Sequence, residues 1–362
     1  MRPILTVDLD AIASNWRLLS KTHGAPTAAV VKADGYGLGA ALVAPRLYQE
    51  GARHFFVAQL CEAVPLRPLL PDAMIAVLNG FDAAEAQAYL AHALHPVLGS
   101  LPEIAAYQAF ARQQGRNLPA LLHVDTGMNR LGLPAAELHR AAADPSLTAG
   151  IDFTYLMTHL VSAEDSGDPT NGLQRARFAQ AQALFPHLPT SFANSSGIFL
   201  GAAFRSSLAR PGAALYGINP TPGRPNPMRA TMRLSAPVLQ LRDIQTGEGV
   251  GYNADWIASR PTTVATVALG YADGYHRAAT NRGHACFDGR RLPLIGRVSM
   301  DLLTFDATDV PGLHPGAMLE LIGPAIPPDE VAVWAGTNGY EVLTSLAHRF
   351  TRRTGPVVDR GV

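Results

Sequence analysis

The 362-residue sequence predicts an α/β chain in two parts: an N-terminal (β/α)8 TIM-like barrel over residues 1–228 and a C-terminal, mostly β domain over residues 229–362. Three observations predict it. Short apolar runs alternate with helical-looking stretches through the first part, as parallel strands with crossover helices do. The segment "GINPTPGRPNPMRATM" (217–232) is crowded with prolines and glycines, as a domain connection is. Beyond it lie short strand-like runs such as "SAPVLQLRDI", "TTVATVALG" and "AMLELIG", separated by glycine turns.

In chain order, the opening "ILTVDL" reads as a strand that fits either domain. Eight further runs follow: "TAAVVK", "HFFVAQL", "MIAVLNG", "HPVLGS", "ALLHVDTG", "FTYLMTHL", "TSFANS" and "SSLARPG". Between them, "PEIAAYQAFARQQG" and "NGLQRARFAQAQALF" carry apolar residues at helical spacing. Eight strands with crossovers suit a closed barrel better than a three-layer sheet. Alternation alone does not close a barrel, so an open doubly wound sheet stays in play.

Composition narrows the function classes. A content of 48% hydrophobic and 16% charged residues describes a globular chain. Lysines plus arginines number 29, and so do aspartates plus glutamates. That balance argues against a nucleic-acid or membrane-surface footprint. Cys61 and Cys286 are the two cysteines, far apart and in no metal-ligand spacing, which points to a reducing compartment. The N-terminus has acidic residues where a secretory signal needs an apolar core, and no apolar run approaches a membrane span. A soluble, cytoplasmic protein without a metal is the expectation.

Chemistry-bearing residues fall at strand ends: Lys32 on the first run, Asp125 on the fifth, His159 on the sixth, Asn194 on the seventh and Arg210 on the eighth. A barrel assembles its site from the C-terminal ends of several strands. Lysine is expensive near a core. Lys32 is therefore either a residue that surfaces where its strand stops or an amine held in a pocket.

The motifs "AVVKADGYGLG", "HVDTGMNRLG", "THL", "ANSSG", "RPGAALYG", "GYADGY" and "GRVSMD" together resemble, in order and along nearly the whole chain, those of alanine racemases. Those are pyridoxal-phosphate enzymes built from a barrel and a β domain. The resemblance implies interconversion of L- and D-alanine, for peptidoglycan precursors or alanine catabolism. It implies that Lys32 attaches the cofactor and then serves as one base. A buried lysine near a cation suits that role because its pKa falls readily. Tyr36, Ser195 and the backbone N–H groups of Gly212 and Ala213 would contact the cofactor phosphate, with Asn194 beside them.

Arg210 would face the pyridine nitrogen, with His159 next to it. Arginine keeps its proton, so the ring stays a weaker electron sink, which favours simple proton exchange over decarboxylation or transamination. Tyr252, in "GEGVGYNADW", matches the second base. A tyrosine pKa near ~10 must be lowered by positive charge, for which His159 and Arg210 are the candidates. By resemblance Tyr252, Tyr271 and Met300 reach the site from the partner of a homodimer, and Arg130 pairs with the substrate carboxylate.

The sequence departs from the pattern at His123, where many relatives carry lysine, and at His348, where some carry tyrosine. A serine racemase of the same fold is the nearest alternative, since one hydroxyl is poorly rejected by an apolar pocket. A non-catalytic pyridoxal-phosphate carrier, and a barrel serving only as a scaffold, are readings of a different class. The β domain with its second base counts against both.

Overall fold

A computed structural model describes residues 2–357. Its first sheet contains seven parallel strands in chain order: β2 (Ala29–Val30), β3 (His54–Val57), β4 (Met74–Val77), β5 (Leu94–Leu98), β6 (Leu118–His123), β7 (Ile151–Met157) and β8 (Thr190–Ser191). The eighth run is a short stretch around Leu208. Parallel bridges join Ser191 to Leu208 on one side and Thr27 to Ala209 on the other. Ala28 N donates to Ala209 O at 2.8 Å and Val30 N to Pro211 O at 3.1 Å, so the last stave closes onto the first. The sheet is a barrel, and the open-sheet alternative falls.

The barrel lumen explains the apolar runs. Ala28, Val30, Phe56, Ala76, Val97, Leu121, Met157 and Leu208 form one buried cluster contributed by successive staves. Phe56 is its largest member and is fully buried. Removing a ring there leaves a cavity that the closed sheet cannot collapse around. Phe56→Ala should therefore cost about 3–5 kcal/mol, read as a lowered midpoint in denaturant unfolding.

Helix ends follow their local signals. Asp8 caps the helix Leu9–His23 by accepting from Ala11 N at 2.8 Å, and Gly24 ends it at φ 72°. On that helix, buried Asn15 is fully engaged. Its Nδ2 donates to Leu215 O and Arg229 O, and its Oδ1 accepts from Arg229 N. This clamp fixes the chain where it leaves the barrel.

The second sheet has eight strands around β9 (Met232–Ile244). β9 pairs antiparallel with Thr262–Val267 and Met318–Ile322, the strands legible in "TTVATVALG" and "AMLELIG". The opening strand β1 (Ile4–Val7) belongs here. It lies antiparallel to β9 and parallel to the strand Thr351–Thr354. Among the described residues no helix is long and apolar enough to cross a membrane.

Candidate active site at the barrel mouth

Lys32 does not close its strand. β2 stops at Val30, and Lys32 opens a turn that winds left-handed. Ala33, Asp34, Gly35, Tyr36 and Gly37 have φ of 52°, 52°, 61°, 54° and 79°. Each of the three that are not glycine costs about 1–2 kcal/mol there, and the surroundings offset that cost.

Glu62 Oε1 accepts from Ala33 N at 2.6 Å and Asp34 Oδ1 from Ala40 N at 2.8 Å. The Tyr36 ring stacks on Tyr216 with centroids 4.7 Å apart, and Tyr216 Oη donates to Val30 O at 3.0 Å. From the other end of the chain, Arg352 Nη1 donates to Gly37 O at 2.9 Å. A Cβ on Gly37 would overlap the Leu343 carbonyl, so glycine is required on two counts. The result is a rigid mount for Lys32 and Tyr36. Burial lowers the Lys32 pKa, the charge of Arg130 lowers it further, and Glu62 opposes them.

Arg210 sits in the closing stave and is 4% exposed. Its Nη1 donates to Ser191 Oγ and its Nη2 to Thr158 O, both at 2.6 Å, and it lies 5.9 Å from the Phe56 ring. These partners are neutral. Burial brings its pKa down to about 10, which still leaves it charged at neutral pH.

Ser195 Oγ accepts from Gly212 N at 3.0 Å and Ala214 N at 3.2 Å. With two donors already on its oxygen, the serine hydroxyl has its own proton left to donate. A Cβ on Gly212 would overlap Tyr36 Oη, so the Ser195 loop and the Lys32 turn close on each other. Burial raises the Tyr36 pKa, so its hydroxyl stays a donor. Ala213 opens the short 3-10 turn behind this pair. Asn194 Oδ1 accepts from Gly197 N at 2.8 Å and so caps its own loop.

His159 and His123 are half-buried and within reach of the Arg210 and Arg130 charges. Burial first, then the charges of Arg210, Arg130 and Lys32 together with His123, bring His159 down to about 3. Burial, then Arg210 and Arg130, bring His123 down to about 4 against the pull of Asp125. Both are neutral at working pH. His159 therefore cannot supply the positive charge that the sequence reading offered it for; burial beside a fixed guanidinium is the reason.

The sign for stability follows from linkage. Unfolded histidine takes a proton near ~6.5, whereas these two resist it when folded. Stability is thus lost as pH falls below the unfolded value. Each contributes a slope of up to about 1.4 kcal/mol per pH unit. The imidazole NMR signals of both should remain those of the neutral ring at pH 5. Titration of His159 near its unfolded value would overturn the burial argument.

Arg130 is exposed at the rim, at the end of a loop fixed by Asp125 Oδ1, which accepts from Gly127 N and Met128 N at 2.9 Å each. Sequence reasoning missed the residue that joins these pieces. Gln174 is 0% exposed. Its Oε1 accepts from Val161 N, and its Nε2 donates to Thr126 Oγ1 and His159 O. Its signal was available: a glutamine on the buried face of a helix with Phe178 and Ala181. Glu62 was missed too, being one of 29 acidic residues with nothing local to single it out.

Tyr252, Tyr271 and Met300 are together, but elsewhere. With Asn253, Arg277, Arg297, Val298 and Ser299 they line a cleft of about 380 Å³ made wholly from the second half of the chain. Tyr252 is 69% exposed, on a turn with Gly251 at φ 73° and Asn253 at φ 59°. Tyr271 N donates to Ser299 O and Ala272 N to Met300 O, both at 3.0 Å, so the two motif loops are laced together. Buried Asp273 receives Arg349 Nε at 2.8 Å, and Arg349 also reaches Asp301, at 2.8 Å. His348 precedes that arginine.

The chain matches the family model described as "Alanine racemase, N-terminal domain" over residues 7–220 and that described as "Alanine racemase, C-terminal domain" over 231–354. A relative in Acidiphilium cryptum, an alanine racemase, is 53% identical over 97% of this chain and 98% of its own length. The crystal structure of the alanine racemase from Bartonella henselae, with covalently bound pyridoxal phosphate, superposes with a TM-score of 0.94. It is 41% identical and covers 98% of this chain and 99% of that one. The biosynthetic alanine racemase of Pseudomonas aeruginosa gives a TM-score of 0.91 at 35% identity, covering 98% and 99%.

Proposed function

Starting from the fact that the chain belongs to the alanine racemase family, we propose that it interconverts L- and D-alanine with pyridoxal phosphate, in sites shared between two copies. The observation that carries this is that Lys32, Tyr36, Ser195, His159 and Arg210 come together at the barrel mouth through the Gly212 loop and shared charge, while Tyr252 stands exposed in a cleft without barrel residues.

The residues present fit the cofactor. Two hydroxyl donors, on Tyr36 and on a Ser195 already saturated as an acceptor, suit the phosphate, with Gly212 and Ala213 on the adjoining loop. Buried Arg210 with neutral partners suits the ring nitrogen. A lysine of lowered pKa suits covalent attachment. Pyridoxal phosphate, when bound, supplies the electron sink that acidifies the α-proton of the amino acid.

The chain's own residues do the rest. The Lys32 amine takes or returns the α-proton on one face. The partner subunit's Tyr252 does so on the other, and the charge it needs comes from Arg210 or from Arg277 and Arg297 in its own cleft. Arg130 receives the substrate carboxylate. Neutral His159 orients beside Arg210 and moves no proton. The proposed organisation is a barrel domain of residues 1–228 and a β domain of 229–362 that meets the partner, with β1 seated in the β domain's sheet.

The direct test is the visible absorbance of bound cofactor in purified protein together with D-alanine formed from L-alanine, with L-serine assayed in parallel. Protein without the absorbance, or faster turnover of serine, would overturn this reading. Arg210→Glu should raise transamination per racemisation event, because a carboxylate favours a protonated ring nitrogen. An unchanged ratio in folded, cofactor-loaded protein would remove Arg210 from that role.

A further inference from the structure

We propose that Glu62 is a positioning residue for Lys32, tying the left-handed turn to the loop after β3 and keeping a negative charge beside the amine. The inference rests on the reading of Lys32 as the residue that attaches the cofactor.

Glu62 is the third residue of the helix Leu60–Leu66 and completes a capping box with Gln59. Helix capping accounts for only one of its oxygens. Oε2 accepts from Ala58 N at 2.7 Å and Gln59 N at 3.0 Å. Oε1 turns away from the helix and accepts from Ala33 N at 2.6 Å, across 29 residues. Ala33 is the first residue of the turn with positive φ, directly after Lys32. A charged acceptor makes a bond about twice as strong as a neutral one, and here it falls where the backbone is most strained.

The carboxylate also balances charge. Arg130 acts on the Lys32 amine in one direction and Glu62 in the other, while His159 next to them is neutral. With Glu62 gone, Arg130 faces the amine alone and Lys32 becomes less basic. A helix cap by itself would have neither consequence.

The test uses full-length holoenzyme carrying Glu62→Gln or Glu62→Ala, with Gln59→Ala as the control that alters the start of the same helix while leaving the Ala33, Ala58 and Gln59 amides on Glu62. Backbone amide exchange across residues 31–37 should quicken about tenfold in both Glu62 variants and stay at the wild-type rate in Gln59→Ala. The pH midpoint of the bound cofactor's visible band should move down in both Glu62 variants, since each removes the charge, and should stay in place in Gln59→Ala. Unchanged exchange, an unchanged midpoint, or the same changes in Gln59→Ala would each overturn the proposal. Retention of the cofactor by Lys32→Ala would instead strike the reading of Lys32, a result that neither measurement on Glu62 can produce.

Discussion

Lys32→Ala should lose at least about ten-thousandfold in racemisation while folding as well as the wild type or better. On the roles proposed above, two duties end together: attachment of the cofactor and proton transfer on one face. The stability expectation comes from the same geometry. Burial and Arg130 both lower the pKa of Lys32, which means that the folded state disfavours the ammonium that the unfolded chain carries freely. Taking the amine away therefore relieves the fold, as expected where a site is held against its own stability. Borohydride should trap the cofactor on Lys32 in the wild type and leave the variant unlabelled. A variant that still traps it at full occupancy on a lysine would show the anchor to be elsewhere.

The largest gain of function should come from mixing two inactive proteins. Lys32→Ala damages the barrel mouth, and Tyr252→Phe damages the exposed cleft in the second half of the chain. If one chain's mouth meets the partner's cleft, a mixed dimer has one site with both lesions and one with neither. Random reassortment makes about half the dimers mixed, so equal amounts should recover about a quarter of wild-type activity. Mass-tagged chains verify the exchange. Exchange without recovery would place both bases within one chain.

Much of the barrel was legible because its strands are buried on both faces: "TAAVVK" gives Ala28 and Val30 to the lumen and Ala29 and Val31 to the core outside it, and "FTYLMTHL" gives Met157 to the lumen. Arg210 follows the closing stave as those runs placed it, whereas His159, like Lys32, lies two residues past its strand, which stops at Met157. What the residues near them become did not follow. Nothing local marks Ala33, Asp34 and Tyr36 as left-handed; the constraint comes from Glu62, Tyr216, Leu343 and Arg352, which are distant in sequence. The neutrality of His159 is likewise a property of burial next to Arg210, invisible in a tripeptide. "ILTVDL" was readable as a strand but not assignable to a sheet, since its partners lie more than two hundred residues on. Gln174 has the period of a core position and the chemistry of a surface one, and only its three bonds reconcile them.

The pairing of β1 with Thr351–Thr354, and of Arg352 with Gly37, also sets an order in time. A ribosome releases Ile4–Val7 more than three hundred residues before its partner strand Thr351–Thr354. At about 5–20 residues per second, an apolar edge waits on the order of twenty seconds to a minute for its neighbour. During that wait the barrel staves can all emerge, and the loop bearing Lys32 with them, but the guanidinium that grips Gly37 does not yet exist. A nascent chain therefore has the Lys32 side chain long before it has the contact that holds its turn. The turn that carries Lys32 gains its last tie only when Arg352 arrives.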